Sequence, residues 1–204
     1  MDSKQAELEL SVIKKIMEDS RNIVCNNGWH YIFWAIVVSA ALIANYIMLL
    51  MKTDGDYIGW MWLVLMVGAS ITASLWERRA DKRRPVKTFA GNMLGSLWFA
   101  GGAAMFMFGF VGTISGAYNP VYICPIISAL LGVTFFISGE IQQLKWQKFL
   151  SIGWWLGSTL LFMYPSVHTL LIFAIMLFFL QAVPGILLNR KYRRESAAKI
   201  PAEA

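Results

Sequence analysis

Four polar side chains sit inside or at the mouth of long apolar runs: His30, Asn92, Glu140 and Gln181. They are the residues best placed to do chemistry, because an ionisable or strongly polar group within a membrane helix marks a functional site unless a partner neutralises it. Glu140, in FFISGEIQQLKWQK, is the clearest instance; its structural alternative is neutralisation by Lys145 or Lys148 within two turns. Gln181 lies close to Pro184-Gly185, where proline frees a backbone carbonyl and predicts a kink. An interrupted helix beside polar groups is one way transporters form a binding site. Together the four predict a polar binding pocket within one leaflet. Scattered hydrogen bonds between helices are the competing reading of the same residues.

A smaller set, Asn45, Tyr164 and His168, falls toward the opposite side, with a wetted surface histidine as the plainer account of His168. Cys25 and Cys124 lack any CxxC or Cys/His spacing and are expected at opposite faces, too far apart for a disulfide. The chain carries no Walker A sequence, no HExxH, no acidic relay at mid-span, and no serine, histidine and acid at matched depth. No catalytic residue, metal or cofactor is therefore assigned, and the chain reads as non-enzymatic.

The elements that position these residues are membrane spans. The sequence has 204 residues, 57% hydrophobic and only 15% charged, whereas a soluble domain carries about 25% charged residues. Six apolar stretches run approximately over residues 29–51, 57–76, 88–114, 121–141, 149–164 and 168–189. A crossing needs about 20 residues at a rise of about 1.5 Å each. The third stretch is long, and the fifth is short because Pro165 stops it. Of the 18 Lys and Arg residues, 17 fall on one side of this arrangement and only Lys52 on the other. The positive-inside rule then places both termini in the cytoplasm, and with them the leaflet that holds the four polar residues. That rule fixes parity rather than count, so a re-entrant hairpin of the last two spans would leave it satisfied.

The expected fold is all-α: a polytopic bundle of six transmembrane helices over residues 29–189, preceded by a cytoplasmic amphipathic segment (1–28) and followed by a basic tail (190–204). In the first segment Leu10, Ile13, Met17 and Val24 recur at helical spacing from about Gln5. That helix either lies on headgroups or docks a partner. No uninterrupted apolar core of a signal peptide occurs there, so the first span must itself engage the insertion machinery.

Helices in lipid associate by close backbone approach. In the third span Gly95, Gly102, Gly109 and Gly116 recur every seven residues, with Gly91 adding a GxxxG; Gly132 follows in the fourth span, and Gly153 and Gly157 in the fifth. Spans three, four and five are thus expected to form the packed centre, with a seam between two copies as the alternative use of the stripe. The net charge of +6 fits a cytoplasmic face against anionic lipid headgroups rather than nucleic acid, for which no soluble basic groove with stacked aromatics is present. Expected partners are that lipid surface and either a second copy or a cytoplasmic protein.

The runs GWHYIFWAIVV, KTFAGNMLGSLWFAGG, YICPIISALLGVTFFISGE and GWWLGSTLLFMYPSVHTLLIFAIMLFFLQAVPGILL resemble small uncharacterised bacterial inner-membrane proteins of the Bacteroidetes type, over nearly the whole chain. The resemblance implies an accessory or sensory membrane component and carries no catalytic residue over. A small transporter or channel using the cytoplasm-facing pocket is the second expectation, and a lipid-modifying enzyme the third.

Overall fold

A computed structural model describes Glu9, Ser11 and residues 28–81 and 89–190. The expected amphipathic segment, Cys25, most of the basic second loop and the tail beyond Arg190 lie outside the described residues. Those described form six long helices and no strand: α1 (Gly28–Leu50), α2 (Gly55–Asp81), α3 (Phe89–Ile114), α4 (Ile123–Ile141, led in by a 3-10 turn at Pro120–Tyr122), α5 (Lys145–Met163) and α6 (Thr169–Arg190). Five of them, all but α5, are long and apolar enough to cross a membrane. α5 begins four residues before the expected span, and its 19 residues reach about 28 Å at the α-helical rise. Its first turn carries Lys145, Gln147 and Lys148, which is why hydropathy alone passes it over.

Three of the helices, α1, α3 and α4, end by a shared device. At Lys52, Gly116 and Gln143 the backbone turns to positive φ, at 56°, 68° and 54°. The amide one residue further on reaches back to Met48, Gly112 and Gly139 respectively, at 2.9–3.1 Å. This is the paired-carbonyl cap that a left-handed residue makes possible. Gly116 is therefore a helix cap, and not a packing residue as its place in the seven-residue repeat suggested.

Packing is centred on α1, α4, α5 and α6. Their side chains Tyr31, Leu42, Leu131, Phe135, Trp154, Leu161, Phe173 and Leu177 form the buried cluster. α4 and α5 make the most extensive pair, an antiparallel hairpin fastened both ways: Ser128 donates to the Trp154 carbonyl and Ser158 to the Pro125 carbonyl, each at 2.8 Å. α2 leans on α1 and buries only Ala69, while α3 leans on α4. The centre expected in spans three, four and five thus keeps α4 and α5, loses α3 and gains α1 and α6. The reason lies in the faces the glycines occupy. A methyl group built on Gly95, Gly102 or Gly109 would meet nothing within 4 Å, whereas Gly101, off the stripe, lies 3.2 Å from Thr134 of α4 in the same construction. Gly132, Gly153 and Gly157 do receive neighbours, from Trp155, Leu180 and Met176.

The closest backbone approach joins α1 to α6. A methyl on Gly28 would stand 2.7 Å from the Gly185 carbonyl, and one on Gly185 would stand 2.8 Å from the Gly28 carbonyl. α6 also departs from α-helical register at Phe178–Ala182, a π-helical turn in which the Val183 amide bonds the Phe178 carbonyl. Pro184 follows directly, and its missing N–H is the strain such a turn absorbs. A second π-helical turn spans Met107–Val111 in α3, where the Tyr118 hydroxyl donates to the Phe108 carbonyl.

Candidate functional site

The cap at Gln143 sets the geometry of the end where the basic residues gather. By folding the chain back after Ile141, it places the last turn of α4 beside the first turn of α5. Ser138 and Gln142, four residues apart, share one face of α4, and the Gln142 amide donates to the Ser138 hydroxyl at 2.6 Å. Gln147 reaches across from α5 and donates to Ser138 at 3.1 Å. It also donates to the phenol oxygen of Tyr31, from the first turn of α1, at 2.9 Å. Tyr31 and Ser138 themselves are 3.3 Å apart, oxygen to oxygen.

Tyr31 is the hub. Its ring packs edge-on against Trp98 of α3 and at a tilt against Phe135 of α4, with centroids 5.7 and 5.5 Å away. Its backbone carbonyl accepts from the Gln181 amide of the α6 π turn at 3.3 Å. One residue of α1 therefore touches α3, α4, α5 and α6. The cluster is closed to solvent, with Gln147 1% and Gln181 4% exposed. Both side-chain amide oxygens, Gln147 Oε1 and Gln181 Oε1, are buried without a hydrogen-bond partner. Every member is a hydroxyl or an amide, uncharged at neutral pH. Such a set can tie helices together or hold a neutral polar group, and it offers no base to take up a proton.

The four residues singled out from the sequence stand in four different settings. Gln181 joins the cluster. Glu140 is exposed and paired with Lys148 at 2.5 Å, the structural alternative named for it. His30 is half-buried with Nε2 3.9 Å from a Glu77 carboxylate oxygen on α2, and Asn92 is exposed on the first turn of α3. Among the described residues none of the four hydrogen-bonds another, and of them only Gln181 belongs to the buried cluster. Its other members are Tyr31, Ser138, Gln142 and Gln147. The sequence signal for them was the four-residue spacing of Ser138 and Gln142; Gln147 was hidden between two lysines.

At the other end His168 is held by Tyr46, Nδ1 to hydroxyl at 3.2 Å, rather than by Asn45 or Tyr164. Among the described residues no three His, Cys, Asp or Glu side chains gather where a metal ion could bind. The chain matches no protein-family model, no curated protein and no solved structure. Its function is read from this geometry alone.

Proposed function

We propose that this protein is a non-enzymatic, multi-pass component of a bacterial inner membrane, accessory, structural or sensory in role, with six crossings and both termini in the cytoplasm. The observation that carries the proposal is the make-up of the buried cluster: two hydroxyls and three amides that join α1, α4, α5 and α6 through Tyr31. Amides and hydroxyls fix relative helix positions without moving charge. A change at the basic end, such as a partner or lipid pressing on the exposed Trp146, is then passed to four helices at once. The charge distribution supports the orientation. Arg78, Arg79, Lys145, Lys148 and Arg190 share the end that holds the cluster, and Lys52 sits with Asp54 and Asp56 at the other.

The test has two parts. Purified protein in liposomes carrying proton- and potassium-sensitive dyes should show no flux above empty liposomes. In cells, a photo-crosslinking residue at Trp146 should give one discrete adduct whose yield changes in Gln147→Met. Diffuse crosslinking that ignores the variant would defeat the sensory or accessory reading.

A second reading, a small transporter, is favoured by one feature: the π turn that bears Gln181, directly before Pro184, with an unpartnered amide oxygen in the helix seam. Flux that Gln181→Leu removes would establish that reading in place of the first.

A further inference from the structure

The hydrogen atoms of the buried cluster do not balance. An amide can present either its oxygen or its nitrogen to a given neighbour, and both orientations of Gln147 can be followed through. With nitrogen toward Tyr31 and Ser138, it donates once to each. Ser138 then accepts from Gln142 and Gln147, fills both lone pairs, and sends its own proton to Tyr31. The Tyr31 proton is left without an acceptor in the cluster, and Gln147 Oε1 without a donor. With the amide turned over, its oxygen takes the protons of Tyr31 and Ser138, and its two N–H groups take the far side, where they call for acceptors. Either way the far side of the Gln147 amide must be matched, inside a site that solvent does not reach.

Gln181 makes the same demand independently, and there the orientation is fixed. Its neighbour is the Tyr31 carbonyl, which only accepts, so nitrogen must face it. The buried Oε1 therefore needs a donor. Buried polar groups are nearly always satisfied by protein or by an ordered molecule. A carboxylate cannot serve Gln181, and an ammonium cannot serve the second orientation of Gln147. A group that both donates and accepts serves every case, and the simplest is a hydroxyl.

We infer that the buried amides flanking Tyr31 bind O–H-bearing molecules, water or a small alcohol, as a built part of the basic end of the bundle. The inference goes beyond the proposed role and holds whether the protein assembles with a partner or transports a solute.

Radiolytic hydroxyl-radical labelling of the protein in phosphatidylcholine nanodiscs tests it, because radicals form on ordered water as well as on bulk solvent. Rates are expressed relative to the exposed Tyr57, with Leu161, buried and without a polar side-chain atom, as the dry control. Tyr31 should label several times faster than Leu161 after correction for intrinsic reactivity, and should fall toward the Leu161 level in Gln147→Met. Added glycerol is the alcohol probe. If it slows Tyr31 relative to Tyr57, the hydroxyl comes from a small alcohol; if the ratio is unchanged, it comes from water. Wild-type Tyr31 labelling no faster than Leu161 would overturn the inference, and that comparison stands even if Gln147→Met fails to fold. Fast labelling of Tyr31 that a folded Gln147→Met leaves unchanged would overturn the role given to Gln147. Neither result bears on flux or crosslinking, so this inference and the proposed function fail separately.

Discussion

Replacing Gly185 with alanine should destabilise the bundle, whereas the same change at Gly102 should not, although the sequence repeat makes Gly102 look the more important. At Gly185 the new methyl would lie 2.8 Å from the Gly28 carbonyl and 2.9 Å from Tyr31 Cβ, where ordinary contact begins at 3.4 Å. Two of the three nearest atoms belong to backbone or to the stem of a packed ring, so α1 and α6 must part by about half an ångström. A gap of that size forfeits roughly a quarter to a half of each dispersion contact along a seam. Overpacking of this kind costs about 1–3 kcal/mol. At Gly102 nothing lies within 4 Å, and alanine should be neutral or gain up to about 0.5 kcal/mol, the lower part of the usual gain because helices in lipid stay helical when they separate. Reversible unfolding in bicelles by steric trapping, at protein concentrations low enough to exclude dimers, measures both variants. A Gly185→Ala protein within about 0.3 kcal/mol of wild type, well inside the range expected for overpacking, would refute the assignment of the seam. So would a Gly102→Ala protein destabilised as much as Gly185→Ala.

Tyr31→Phe keeps the ring contacts and removes the shared oxygen. It should cost about 1–2 kcal/mol by the same assay, with less-than-additive loss when combined with Gln147→Met. Gln143→Gly relieves a left-handed residue and should stabilise by about 1 kcal/mol, read as a raised unfolding midpoint. Glu140→Gln breaks a largely solvent-exposed pair with Lys148 and should change stability by less than about 1 kcal/mol. Single cysteines at Asp54 and Arg190 should react with an impermeant maleimide from opposite sides of intact vesicles, and labelling from the same side would contradict an odd number of crossings between them.

The spans were legible because hydropathy sums over some twenty residues, and errors at single positions cancel; the observed helices α1, α3, α4 and α6 start and stop within two residues of the expected stretches. α5 was clipped at its start because Lys145 and Lys148 read as loop, although Gln147 between them is buried. Packing was not legible. A repeat of glycines states where a helix is able to pack closely, and not which neighbour arrives there. α1 and α6 meet at Gly28 and Gly185, single glycines with no repeat around them. The candidate site diverged for a related reason, with Gln181 alone of the four joining the buried set. Glu140 drew attention by its charge, yet a long flexible lysine satisfied it at the surface. The buried set is made of side chains that carry no charge and stand at the ends of helices, where sequence alone cannot separate interior from rim.

The α1–α6 seam also sets an order of assembly. Tyr31 and Gln181 are 150 positions apart, and α1 finds its main partner in α6, the last of the described helices. Until α6 arrives, α1 rests in the membrane with the Gly28 groove open and the Tyr31 carbonyl lacking its Gln181 partner, held by α2 and by the Tyr31 contacts to α3, α4 and α5. The α4–α5 hairpin can close early and on its own, because its turn and its paired serine bonds are local. The order of assembly this predicts runs from the hairpin outward, and a chain stopped before Thr169 would leave the Gly28 face of α1 uncovered.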